Sequence, residues 1–302
     1  TYRNMNEVER KGEEDLAAQV FDNSDFGFYK VTIERPKRLK AQFTKERIET
    51  LRFDAKLKEP MQWAYEEYGE KVYEDITQFE KEIDNWCEKQ EIELTNKQRK
   101  SLFSKKLWEK HRNLVQHATE LMQAIGTDEY NDFNVFRSKV NQYLKDQGIK
   151  LTDSERNTIL NAVSWYDADA EKVVKNKTKL KDDKLEKLLE HLGCEEEQLP
   201  DYGYFPTEKE NEYIQYETES DLRDYEEVPL KDDIYDYFQR EVKPHVPEAW
   251  INLDATRIGY AISFNKYFYQ HKPLRSLEEV TEEIEQLENE SKGLINQILQ
   301  IP

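Results

Sequence analysis

Two stretches of this chain hold the side chains best suited to chemistry, and both are basic. Residues 30–58 carry ten Lys and Arg against four acids, a net +6, and residues 97–112 carry seven against Glu109 alone, again +6. Lys97, Lys100, Lys105 and Arg112 recur around a helix and read as a solvated face. Lys30, Arg35, Lys37, Arg38 and Lys40 differ, because they lie on or just after an aromatic, β-branched stretch that can hold them rigid. Such a row suits phosphate contacts, which position a duplex without reading its bases. The whole chain opposes that chemistry. Its 302 residues sum to a net charge of −19, and residues 195–241 hold seventeen acids against four bases. An acidic chain repels phosphate and is a poor lone binder of DNA. A local basic face can still lie along a duplex that other domains hold.

Other chemistry is missing. None of the nine glycines stands in a GxG arrangement, so no turn cradles a nucleotide. None of the nine prolines follows an Asn, which removes the Asn-Pro-Pro-aromatic loop that grips a flipped adenine. His111, His117, His191, His245 and His271 show no metal-ligand spacing and read as surface polar residues. Cys87 and Cys194 stand alone, as free thiols in a reducing cytosol. No catalytic, cofactor-binding or metal-ligating residue is expected. No apolar run approaches the ~18 residues of a membrane helix, and no signal peptide opens the chain. Its first residue is Thr rather than Met, as expected of a piece of something longer.

The positioning elements follow from periodicity. Phe26 to Glu34 alternates Tyr29, Val31 and Ile33 and predicts a strand stopped by Pro36. Ile258, Tyr260, Ile262 and Phe264 share a face and predict a second. Leu230 to Val242 predicts a helix ended by Pro244. Between them lies an internal repeat offset by 57 residues: Phe79, Ile83, Trp86, Leu94, Thr95, Gln98, Arg99, Leu102 and Trp108 recur as Phe136, Val140, Tyr143, Leu151, Thr152, Glu155, Arg156, Ile159 and Trp165. Each copy predicts helix, short turn, helix, with Thr95 and Thr152 as N-caps. Trp86, Trp108 and Trp165 fall at core spacing. The prolines and acids of 195–230 predict a linker.

An apolar heptad closes the chain. Leu277, Val280, Ile284, Leu287, Leu294, Ile298 and Ile301 alternate at a and d positions, and only Ser291 interrupts them. Ser276 and Glu279 supply a capping box. The seam demands a covering surface, either the chain's own core or a partner.

Four segments carry a family resemblance: Phe21 to Pro36 (FDNSDFGFYKVTIERP); Ser164 to Asp167 (SWYD); Leu222-Arg223-Asp224 with Val228-Pro229-Leu230 and Tyr237 to Ile251 (YFQREVKPHVPEAWI); and Ile258 to Tyr269 (IGYAISFNKYFY). Together they resemble the C-terminal part of the methyltransferase (M) subunit of type I restriction-modification systems, over residues 21 to about 300. The resemblance implies a DNA adenine-N6 methyltransferase subunit that uses S-adenosylmethionine and acts with a specificity (S) subunit and, through it, a restriction (R) subunit. The family's cofactor loop and catalytic motif lie upstream, so no catalytic residue carries over and no cofactor is expected in this chain. What it implies here is a cytoplasmic assembly region. Leu277, Val280, Ile284, Leu287, Leu294 and Ile298 would dock on the S subunit, and Lys30, Arg35, Lys37, Arg38 and Lys40 would lie near DNA.

The expected fold is mainly α, with a few short strands, helical hairpin repeats and a coiled-coil-like terminal helix. Its expected parts are a strand-containing segment (1–58), a helical subdomain (59–194), an acidic linker (195–230) and a C-terminal segment with strand and docking helix (231–302). The competing reading is an autonomous helical scaffold for protein interaction with no role on DNA.

Overall fold

Alternation in the first strand is where the architecture starts. The structure, a computed structural model, describes residues 22–262, 280–284, 286–288 and 291. A helical turn, α1 (Asn23–Phe26), closed by a reciprocal Asp22–Asp25 capping box, leads into β1 (Gly27–Glu34). Val31 and Ile33 are buried on one side of β1. After Pro36 come β2 (Leu39–Ala41) and α2 (Lys45–Glu49), whose Thr44 cap accepts the Arg47 N–H at 3.2 Å. The helices α3 (Lys58–Tyr68), α4 (Lys71–Asp75), α5 (Glu80–Lys89), α6 (Asn96–Leu102), α7 (Lys105–Ile125), α8 (Phe133–Asp146) and α9 (Asp153–Ala162) follow. Next are β3 (Ser164–Tyr166), β4 (Val174–Lys179), α10 (Asp183–Leu192), β5 (Phe205–Pro206), β6 (Glu212–Tyr216) and β7 (Asp224–Pro229). Last come α11 (Ile234–Tyr237), which passes into a π turn at Phe238–Val242, and β8 (Trp250–Tyr260).

The strands make three small sheets, ordered β7–β1–β8, β2–β3 and β4–β6–β5. β2 lies antiparallel to β3 with Lys40 opposite Trp165. The chain divides into two units, 29–258 and a second that takes 1–28 and 259–302. In the first unit, one apolar core gathers Phe43, Leu51, Leu114, Leu121, Phe136, Val140 and Ile159 around α7, α8 and α9. A second gathers Met61, Val72, Ile76, Ile83, Leu102 and Trp108 around α3 to α6. α7 serves both, through Trp108 at its start and Leu114, Ala118 and Leu121 further on. A third core lies under the β7–β1–β8 sheet, where Val31, Ile33, Val228 and Ile251 meet Phe238 and Val242. In the unit of the two ends, the Ala261 N–H donates to the Phe26 carbonyl at 2.9 Å. A Cβ on Gly259 there would meet the tip of the Phe28 ring at 2.5 Å, so a larger residue forces that ring to shift.

Several expectations need correcting. The fold is not mainly α: among the described residues helix covers 53% and strand 20%, in three antiparallel sheets, which makes it α+β. The extra strands are polar. β4 (VKNKTK) and β7 (DYEEVP) expose most of their side chains, so they carry no apolar alternation to betray them. Nor is there a coiled coil among the described residues. Residues 280–284 and 286–288 are helical, yet Ile284 and Leu287 are exposed rather than packed in a helical seam. The stretch 195–230, expected as a linker, contains β5, β6 and β7 and buries Leu199, Tyr213 and Val228. The late strand begins at Trp250, eight residues before the expected Ile258, and ends at Tyr260. Ile258, Tyr260 and Ile262 are exposed there, and Phe264 lies outside the described residues.

Candidate functional site

The strand period of two gives β1 two unlike faces. Tyr29, Val31 and Ile33 face the third core. Lys30, Thr32 and Glu34 line a cavity of about 420 Å³ on the other side of the sheet. β7 contributes Arg223, just before its first residue, and Tyr225. β8 contributes Asn252, Ala255 and Arg257. Strict alternation from Asn252 would bring 254 and 256 to this face. Instead Ala255 and Arg257 line it, and the Ala255 N–H donates to the Asn252 Oδ1 at 3.2 Å.

Glu34 is the centre of this cavity. It is only 2% exposed. Its Oε1 accepts from Arg223 Nε at 3.0 Å and from Asn252 Nδ2 at 3.3 Å. Its Oε2 is buried without a partner. The hydrogen bond to Glu34 holds the Arg223 guanidinium above its ordinary pKa. Lys30 lies 4.5 Å from the centre of the Tyr225 ring, which is itself half exposed. Among the described residues neither Lys30 nor Arg257 has an ion-pair partner.

The structure does not use the five basic residues of 30–40 alike. Arg38 donates to the Ala170 carbonyl and to Glu248 Oε2, both at 2.6 Å. Lys172 also approaches Glu248, at 3.6 Å. Burial acts to raise the Glu248 pKa, but the Arg38 hydrogen bond and the two cations outweigh it and hold the carboxyl below its usual value. Lys40 pairs with Asp167 at 3.1 Å and Glu129 at 3.3 Å. Both side chains therefore tie distant parts of the chain together. Arg35 has its Nε buried without a partner. Lys37 pairs through its backbone, its N–H donating to the Glu217 carbonyl at 2.7 Å. Only Lys30 of the five reaches the cavity.

Of the predicted docking residues, Val280 is half-buried, while Ile284 and Leu287 are 56% and 61% exposed. Spacings of four and three put them on one side of the helix. Leu277, Leu294, Ile298 and Ile301 lie outside the described residues.

His111 departs from expectation, being 6% exposed. Its Nδ1–H donates to the Leu51 carbonyl at 2.7 Å, a structural bond between α7 and the chain before α3. Trp165 is half-buried rather than core, and the Arg47 guanidinium stacks 3.7 Å from its centroid. Cys87 and Cys194 are both free, and burial pushes both thiols up. Among the described residues no three His, Cys, Asp or Glu side chains gather as metal ligands, and no helix is long and apolar enough to cross a membrane.

Sequence spacing gave no sign that Arg223, Tyr225, Asn252 and Arg257 share a site with Lys30. They converge only because β7 and β8 flank β1, a pairing between segments far apart in the chain. Compared with the models of known protein families, with curated proteins and with solved structures, the chain matches none.

Proposed function

We propose that this chain is the C-terminal, non-catalytic assembly region of a type I restriction-modification methyltransferase subunit. It docks on the specificity subunit, reaches the restriction subunit through it, and helps hold DNA that the specificity subunit reads. S-adenosylmethionine and the methyl transfer belong to the upstream part of the parent subunit. The resemblance of the four segments supplies the partner. The observation that carries docking is the bare seam, with Ile284 and Leu287 more than half exposed beside Val280 on one helix. Large aliphatic side chains aligned in this way lose solvent contact most readily against another apolar surface. Each supplies on the order of 1.5–3 kcal/mol when fully buried, before association costs. The DNA-facing part of the reading falls to Lys30, Arg35 and Lys37, since Arg38 and Lys40 already hold internal acids.

The test is the double change Ile284→Asp with Leu287→Asp. Because both side chains are exposed, the isolated chain should keep its melting temperature within a few degrees. Co-purification of the full M subunit with the S subunit should be lost. A variant that still captures the S subunit sinks the docking role. A variant that melts early places the seam in the chain's own core, the autonomous-scaffold outcome.

A further inference from the structure

We propose that the cavity on the open face of the β7–β1–β8 sheet binds one unpaired nucleotide whose base carries an exocyclic amino group. The inference rests on the cavity alone and stands or falls independently of docking on a specificity subunit. Its first support is Glu34, a lining residue of the cavity whose buried Oε2 has no hydrogen-bond partner. A buried carboxylate oxygen normally finds a donor, and leaving it bare is costly. Neighbouring side chains do not supply one, because Arg223 and Asn252 are both spent on Oε1. A ligand N–H would complete its bonding once the side chains of the wall part to admit it.

Charge then narrows the ligand. Three cations, Lys30, Arg223 and Arg257, surround the single carboxylate in a chain of net charge −19. A simple amine would satisfy Glu34 but meet these cations. A simple anion would satisfy the cations but face Glu34 and leave its Oε2 bare. A ligand carrying a donor at one end and a phosphate at the other satisfies both. Tyr225, half exposed with Lys30 4.5 Å from its centroid, offers a flat ring for a base to stack on once the flexible Lys30 swings aside. The volume of about 420 Å³ lies within the range of small-ligand sites. With one acceptor oxygen free, the base needs one amino donor, as cytosine N4 or adenine N6 provides. Uracil and thymine offer only the N3–H, flanked by two carbonyl oxygens that the carboxylate repels, and should bind more weakly.

The experiment titrates the whole chain with CMP, AMP, UMP and inorganic phosphate by calorimetry, then with short single-stranded oligo-dC and oligo-dT. CMP and AMP should bind more tightly than UMP, and phosphate more weakly than all three. Tyr225→Ala should weaken CMP roughly tenfold, within the range of base–aromatic stacking. Arg257→Glu, at an exposed position, should weaken all nucleotides and flatten the salt dependence. Glu34→Gln should abolish the preference for CMP over UMP, with circular dichroism melts confirming that it folds. Oligo-dC binding more tightly than CMP assigns the site to single-stranded nucleic acid, while equal affinity assigns it to free nucleotides. Equal binding of CMP and UMP overturns the amino-group assignment. No saturable binding at millimolar nucleotide, or binding unmoved by both Tyr225→Ala and Arg257→Glu, overturns the site.

Discussion

The α5–α6 and α8–α9 hairpins turn in the same way and bury their faces in different cores. In the first, the Glu91 N–H donates to the Glu88 carbonyl at 3.2 Å and the Ile92 N–H to the Cys87 carbonyl at 2.9 Å. In the second, offset by 57 residues, Gly148 donates to Lys145 at 3.1 Å and Ile149 to Leu144 at 2.9 Å. Both are the paired bonds of a Schellman end, and Ile92 and Ile149 each pack toward the core that their helix serves. Both next helices open on a capping box, Thr95 with Gln98 and Thr152 with Glu155. Beyond that the copies part. The first feeds Ile83 and Leu102 into the core with Trp108, and the second feeds Val140 and Ile159 into the core with Phe43 and Phe136. A shared turn thus fixes local geometry, while the partner surface is set by what the chain places alongside.

The tryptophans that close the two copies expose this difference most sharply. Trp108 is fully buried and its Nε1 donates to the Leu102 carbonyl at 2.7 Å. Trp165, 57 residues on, is half-buried in β3 and covered by Arg47. Trp108→Ala should cost about 3–5 kcal/mol, from lost burial and a stranded carbonyl. Trp165→Ala should cost about 1–2 kcal/mol, the scale of a cation–π contact with partial burial. Urea unfolding of both variants measures the gap, and equal losses would break the comparison.

How much of this was legible in the sequence depends on where the information sits. The hairpins were legible, because apolar periodicity, Thr caps and the 57-residue offset are all local. β1 was legible for the same reason: Tyr29, Val31 and Ile33 alternate above a polar series. The sheets were not. β4 and β7 hold too few apolar residues to signal a strand, and their pairing with β6 and β1 joins distant segments. The cavity inherits that problem. Lys30 stood out as a charge, but the buried Glu34 looked like one more acid in a charged stretch. Likewise Arg38 and Lys40 looked like a row of free cations until Glu248 and Asp167, both far along the chain, came beside them.

The turns also differ at their left-handed residue. Glu91 has φ +56° and Gly148 has φ +65°, both in the left-handed region. A side chain there costs roughly 1–2 kcal/mol, which glycine avoids. Gly148→Ala should therefore destabilise by about 1 kcal/mol, and no clash adds to it, because the space around its missing Cβ is open. Glu91→Gly should stabilise by about 0.5–1 kcal/mol, once the extra freedom of the unfolded chain is set against the relieved strain. Opposite signs for the two changes in thermal melts would show that the first copy carries strain at the position where the second has glycine. The same sign for both would mean that the turns are not equivalent.

The smallest expected effect concerns the caps and depends on pH. In the second hairpin the Thr152 hydroxyl and N–H donate to Glu155 Oε2 at 2.7 and 2.9 Å. Those two bonds hold the Glu155 carboxyl below its ordinary value. In the first, the Thr95 hydroxyl and N–H donate to Gln98 Oε1 at 2.7 and 3.0 Å, and an amide does not titrate. A carboxyl depressed in the folded state contributes stability that is fully present above its unfolded pKa of about 4.3. That contribution is lost as pH falls through the lower folded value. Acid should therefore loosen the start of α9 while leaving the start of α6 unchanged. Glu155 is only half-buried and its cap lies at the surface, so screening keeps the contribution small, at roughly 0.3–1 kcal/mol. Glu155→Gln should lower stability slightly at neutral pH, and the gap to the parent should close as pH drops toward about 3. Gln98→Glu should transfer the acid sensitivity to the first hairpin. Amide hydrogen exchange at Arg99 and Arg156, whose N–H groups close the first turns on Thr95 and Thr152, reads the two caps separately. If both amides speed up together in acid whichever residue stands at 98 or 155, the caps do not act locally and general loosening of the fold accounts for the change.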